Sequence, residues 1–228
     1  MSATLLSQRL CFGLGSTKNS VVSSEDFRIG VLGSGNGSNC EAILEACASG
    51  RIPGRVAIVL SDVADAFILE RARKRGIEAR FIGSSRFKTK LEPELEEHAA
   101  ELLRDAGVQL VALAGYMRVL KSPLLRAFEG RIMNVHPSLL PAFPGLRAWE
   151  QALKSGAKET GCTVHFVDEG VDSGPIIMLR AVQIKAEDTP ESLHQRIQLA
   201  EHEIYPEAIR LFAEGKLKID GRTVEILE

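Results

Sequence analysis

Short apolar runs alternate with amphipathic, glycine-stopped segments through the first half of this chain, and that alternation restricts its fold more than any other feature. FRIGVLG (27–33) is apolar, ends in glycine and reads as a buried strand. SNCEAILEACASG (38–50) follows with helical spacing and a glycine stop. RVAIVLS, ADAFILERARKRG, EARFIG, LEPELEEHAAELLRDAG and VQLVALAG then repeat strand, helix, strand, helix, strand. Such a βαβα order predicts a mostly parallel open sheet flanked by helices on both faces, an α/β fold. RIMNVH (131–136) reads as a fifth strand. Beyond it, CTVHFVDEG and GPIIMLRAVQI are strand-like and separated by VDSG, so they are expected to pair as a hairpin. A helix is expected over 189–213, with Pro190 suited to its first turn and Pro206 implying a kink or break. LKIDGRTVEIL predicts a closing hairpin with Asp220-Gly221 as its turn dipeptide.

Neither a repeat nor a long linker interrupts 27–228, which therefore reads as one domain of the 228-residue chain. Residues 1–26 differ in composition: they are Ser-rich, carry Arg9 and Lys18, and contain no acid before Glu25. They read as a leader, either an organelle transit peptide or a plain extension.

Composition removes several function classes. The 28 basic and 30 acidic residues give a formal net charge of −2, against a broad nucleic-acid footprint. No apolar run reaches the roughly 20 residues that span a bilayer, so no membrane partner is expected. Cys11, Cys40, Cys47 and Cys162 form no CxxC pair and no metal spacing with the histidines, which suits a reducing intracellular setting. The expected compartment is the cytoplasm, or an organelle if the leader is a transit peptide.

Three segments can carry chemistry. GSGNGSN (33–39) leaves the first strand and opens the first helix. Its glycines permit close backbone approach, and a helix N-terminus offers free N–H groups to an anion. Ser38 or Asn39 is the expected N-cap. No Gly-Lys-Ser/Thr follows, and the glycines at 33, 35 and 37 do not make GxGxxG, so a phosphate monoester fits better than a dinucleotide. In NVHPSLLPAFPG, Asn134 and His136 share one strand face at its carboxyl end, where open α/β sheets bind ligands. Both can donate to a developing oxyanion. In FVDEGVDSGP, Asp172 follows another strand and can reach His136; a carboxylate there favours the imidazolium and can accept a proton. His98, His165, His194 and His202 read as structural, and no metal site is expected.

These segments, together with LAGYMRVL and EHEIYP, occur in an order that resembles the folate-dependent glycinamide ribonucleotide formyltransferase family from Arg28 to about Lys218. The resemblance implies a Rossmann-like formyltransferase fold. It implies transfer of a formyl group from the co-substrate 10-formyltetrahydrofolate to the amine of glycinamide ribonucleotide, in purine synthesis, by a monomer or homodimer. It implies that Gly37, Ser38 and Asn39 hold the ribonucleotide phosphate and that Glu201 contacts the ribose. Met117, Arg118, Val119 and Leu120 match the segment lining the folate pocket, which Asn134 borders. Asn134, His136 and Asp172 match the catalytic trio. An arginine that meets the folate glutamate tail in some relatives has no assigned counterpart; Arg86, Lys88 and Lys90 are the candidates.

The nearest alternative is a formyltetrahydrofolate hydrolase, which shares the catalytic half. About 26 residues before the first strand are too few for the regulatory domain expected of it, and it needs no phosphate cup. A methionyl-tRNA formyltransferase is expected to carry a further RNA-binding domain, and no basic extension follows here.

Overall fold

The computed structural model describes residues 27–228; the leader and its targeting reading lie outside the described residues. The described chain builds one nine-stranded sheet around β1 (Arg28–Leu32). β2 (Arg55–Ser61) and β4 (Leu110–Leu113) flank β1 in parallel, β3 (Glu78–Phe81) extends the β2 side, and β5 (Ile132–His136) extends the β4 side. β6 (Glu159–Phe166) and β7 (Ile176–Gln183) continue antiparallel as the expected hairpin. β9 (Thr223–Ile226) joins β7 in parallel through Ile176 and Thr223, and β8 (Leu217–Asp220) closes the edge. Five of the eight pairings are parallel, matching the Rossmann-like reading.

Side chains alternate between two cores, as a sheet covered on both faces requires. Ile29, Val31, Val59 and Ala112 point toward α1 (Ser38–Ala48), α2 (Phe67–Lys74) and α6 (Pro190–Ala213). Leu32, Ile58, Leu60 and Val111 point toward α3 (Pro93–Asp105) and α4 (Ser122–Ala127). α4 and α5 (Ala148–Ser155) have no counterpart in the sequence pattern. Each is eight residues or fewer, too short to display a helical period.

Local chemistry sets the boundaries. Thr189 caps α6 reciprocally: its hydroxyl accepts from the Ser192 amide at 3.2 Å, and the Ser192 hydroxyl accepts from the Thr189 amide at 3.0 Å. Pro190 takes the first turn as expected, but Pro206 does not break the helix, which runs 24 residues through it. Burial explains the difference. Ile204, Tyr205, Pro206 and Ile209 pack inward, and the Tyr205 hydroxyl sits 3.1 Å from the Leu113 carbonyl and 2.9 Å from that of Met133. Tertiary packing thus holds a backbone that proline alone would interrupt. The closing hairpin turns on Gly221-Arg222 rather than Asp220-Gly221, because Asp220 still pairs with Thr223 and Gly221 takes a positive φ of 59°. Among the described residues, no helix is long and apolar enough to cross a membrane.

The chain leaves β1 toward β2 but leaves β4 toward β5, so the connections diverge between these neighbours. A crevice opens beyond the carboxyl ends at such a switch point.

Candidate active site

A cavity of about 480 Å³ lies at this crevice, lined by the 35–39 loop, the 113–120 segment, the end of β5, the 167–173 loop and one face of α6. Every site residue expected from the sequence lines it: Gly37, Ser38, Asn39, Met117, Arg118, Val119, Leu120, Asn134, His136, Asp172 and Glu201.

The glycine loop presents N–H groups because its carbonyls are engaged elsewhere. The Gly35 carbonyl accepts from the Ile68 amide at 3.0 Å. The Asn36 carbonyl and side-chain oxygen accept from Arg71 Nε and Nη2, both at 2.8 Å. The first intrahelical bond of α1 runs from Glu41 N to Gly37 O, so the amides of 38–40 keep no intrahelical acceptor. This face suits an anion. Two details differ from expectation. The N-cap is Gly37, in a left-handed conformation (φ 77°, ψ 32°), and neither Ser38 nor Asn39 caps the helix with its side chain. A Cβ at Gly37 would stand 2.6 Å from Ile68 Cγ1, so close packing against α2 demands glycine there.

Asn39 turns its side chain away to Glu201, donating from Nδ2 to Oε2 at 2.8 Å, and its Oδ1 is buried without a protein partner. Glu201 is itself buried, and burial pushes its carboxyl up to about 7 against the opposing pull of Asn39. An orphan acceptor beside a buried carboxyl is a place for hydroxyl donors, which a sugar supplies.

The β5 end brings the reactive groups together. His136 is buried; its Nε2 donates to the Phe143 carbonyl at 2.9 Å, and its Nδ1 lies 3.3 Å from Asp172 Oδ2. Both ring nitrogens therefore face oxygen acceptors. Phe143 holds φ at 54° to aim that carbonyl, in a loop pinned by Ser138 Oγ on the Ala142 carbonyl and Thr163 Oγ1 on the Ser138 carbonyl. Asp172 sits at φ 50°, and its Oδ2 also accepts from the Gly145 amide at 2.8 Å.

Sequence reasoning missed part of the site. His165, read as structural, stands opposite Asn134 across β5 and β6, with Asn134 Nδ2 3.2 Å from its Nε2. Its Nδ1 is 2.8 Å from the Phe166 carbonyl and so carries the proton, leaving Nε2 to accept from Asn134. Burial lowers its pKa, which keeps this ring neutral. His194, stacked on Trp149 with ring centroids 3.7 Å apart, lines the cavity as well. Only strand register and helix docking bring these rings to the site. Of the segment holding Arg86, Lys88 and Lys90, Thr89 alone lines the cavity, while Arg86 pairs with Glu92 at 3.5 Å. Among the described residues, no group of three or more His, Cys, Asp or Glu side chains is arranged to hold a metal ion.

Met117, Leu146 and Val171 form an exposed apolar rim, with the peptide of 117–120 along one wall. Such a rim offers apolar surface to a ligand beside the glycine loop.

Known proteins resemble this chain in sequence and fold. The family model described as formyl transferase matches residues 27–209. The glycinamide ribonucleotide transformylase 1 structure from Symbiobacterium toebii superposes with a TM-score of 0.85 at 53% identity, covering 96% of this chain and 100% of that one. The phosphoribosylglycinamide formyltransferase of Escherichia coli K12 is 43% identical over 83% of this chain and 88% of its own length. The trifunctional purine biosynthetic protein adenosine-3 of Bos taurus is 40% identical over 88% of this chain, which spans only 20% of that longer relative. The chain belongs to the formyl transferase family.

Proposed function

We propose that this chain transfers the formyl group of 10-formyltetrahydrofolate to the amine of glycinamide ribonucleotide, a step of purine synthesis, with residues 27–228 acting as one catalytic unit. The observation that carries this reading is one cavity holding both the outward N–H face of the 35–39 loop and the Asn134, His136 and Asp172 side chains.

In this reading the amides at 37–39 hold the phosphate, and Glu201 with Asn39 Oδ1 meets the ribose hydroxyls. The Met117–Leu120 peptide and the apolar rim hold the folate. The amine attacks the formyl carbon and places negative charge on its oxygen. Asn134 Nδ2 donates to that oxygen with the hydrogen not committed to His165, and the His136 ring supplies a second donor by releasing its Nε2–H from the Phe143 carbonyl. Asp172 holds the His136 ring and accepts the proton leaving the amine, directly or through water, then returns it to the departing folate nitrogen. Removing one oxyanion donor costs about a hundredfold in turnover or more.

The decisive assay incubates the protein with 10-formyltetrahydrofolate, with and without glycinamide ribonucleotide. Formylated ribonucleotide should form, with negligible formyl loss when the ribonucleotide is absent. Formate release at the same rate without it would favour hydrolysis.

A further inference from the structure

Asp62 and Arg118 form a buried ion pair that the chemistry above does not use. Arg118 Nε donates to Asp62 Oδ2 at 2.6 Å, with side-chain exposures of 16% for Arg118 and 1% for Asp62. The other carboxylate oxygen accepts from Ser34 Oγ at 2.7 Å, and Ser34 Oγ accepts from the Met117 amide at 2.9 Å. Since Met117 and Arg118 are consecutive, these bonds close a ring. Its directions are fixed: an N–H donates to the hydroxyl, the hydroxyl to the carboxylate, and the guanidinium to the carboxylate. Arg118 Nη1 also donates to the Phe87 carbonyl at 2.5 Å, and the Val119 amide donates to the Thr89 carbonyl at 2.8 Å.

Neither Asp62 nor Ser34 lines the cavity, whereas Met117–Leu120 do. Asp62 is buried behind these walls rather than on them. A buried ion pair is an inefficient way to add stability, because desolvation offsets most of the attraction, and its better-attested use is to specify one arrangement. Here the arrangement joins two ligand walls. Ser34 directly precedes the 35–39 loop proposed to hold the phosphate, and Arg118 belongs to the segment proposed to hold the folate.

We propose that Asp62 is a positioning residue that holds the Met117–Leu120 wall in register with the glycine loop through Ser34 and Arg118. The proposal rests on the formyl-transfer reading, and it assigns Asp62 to folate binding rather than to chemistry.

The test measures calorimetric affinity for tetrahydrofolate and for glycinamide ribonucleotide, alongside melting temperature, in wild type, Asp62→Ala and Ser34→Ala. Ser34→Ala opens the ring at its uncharged member and keeps the ion pair, so it carries the test if Asp62→Ala does not fold. Losing a buried hydrogen-bonded tie should weaken tetrahydrofolate about tenfold in Asp62→Ala, and less in Ser34→Ala, with ribonucleotide affinity within about threefold of wild type. In turnover assays the KM for the folate should rise more than kcat falls. Equal loss of both ligands in step with melting temperature would mean a merely structural role and overturn the proposal. Unchanged tetrahydrofolate affinity in variants of a wild type that binds it would overturn this proposal alone. Failure of wild type to bind tetrahydrofolate would overturn the formyl-transfer reading and this proposal together.

Discussion

Asn134 and His165 face each other directly across the antiparallel β5–β6 pair, with the Asn134 amide nitrogen 3.2 Å from His165 Nε2. Because His165 Nδ1 is committed to the Phe166 carbonyl, the free lone pair on Nε2 decides which way the Asn134 carboxamide points. His165→Phe removes that acceptor while keeping a planar ring. Turnover should fall at least about tenfold with ligand KM values little changed, since the loss concerns a donor used only in the transition state. Steady-state kinetics checks this; a defect confined to KM would count against it.

The same histidine has a sign in stability. Burial lowers its pKa in the folded chain, so between the ordinary histidine range and the lower folded value the unfolded chain binds the extra proton. Its contribution therefore weakens as pH falls through that window. Urea unfolding from pH 7 to 5 should show a shallower loss in His165→Phe than in wild type.

Glu201 behaves in the opposite sense. Its carboxyl is raised from 4.5 to about 7, so the folded chain holds the extra proton between these values. The stabilising contribution is fully present below pH 4.5 and lost as pH rises through about 7. Glu201→Gln should flatten the fall in melting temperature across this range and weaken ribonucleotide binding. Identical pH slopes in the two proteins would exclude a buried, late-titrating carboxyl.

Gly37 and Gly35 separate packing from ligand approach. At Gly37 a methyl would meet both a left-handed φ and Ile68, whereas at Gly35 nothing lies within 4 Å. Gly37→Ala should cost on the order of 1–3 kcal/mol, and Gly35→Ala far less. Denaturant titration of both variants reads the difference directly.

Asp172 is held by the Gly145 amide as well as by His136. Asp172→Asn leaves an amide where a charge faced the imidazole, and turnover should drop about a hundredfold or more. Tetrahydrofolate and ribonucleotide should still bind, as equilibrium titration would record.

How much of this was legible in the sequence depends on the range of the interaction. Strands such as RVAIVLS and helices such as SNCEAILEACA show themselves because a buried strand and an amphipathic helix have different periods. Their glycine stops are equally local. The GSGNGSN and Asn134-x-His136 segments are legible for the same reason: a strand end and the loop after it are set within a few residues.

Tertiary structure decided what depends on partners distant in sequence. The β5–β6 register puts Asn134 opposite His165, 31 residues away, and no local pattern states that pairing. Docking of α2 makes Gly37 obligatory through Ile68, and docking of α1 on α6 turns Asn39 to Glu201, 162 residues away. Pro206 remains helical because Tyr205 and its buried neighbours hold that turn against the sheet. Sequence by itself determined the strands and the longer helices, though not the short α4 and α5, and which residue types stand at strand ends. Register and packing, which exist only when distant segments meet, determined which side chains share a hydrogen bond.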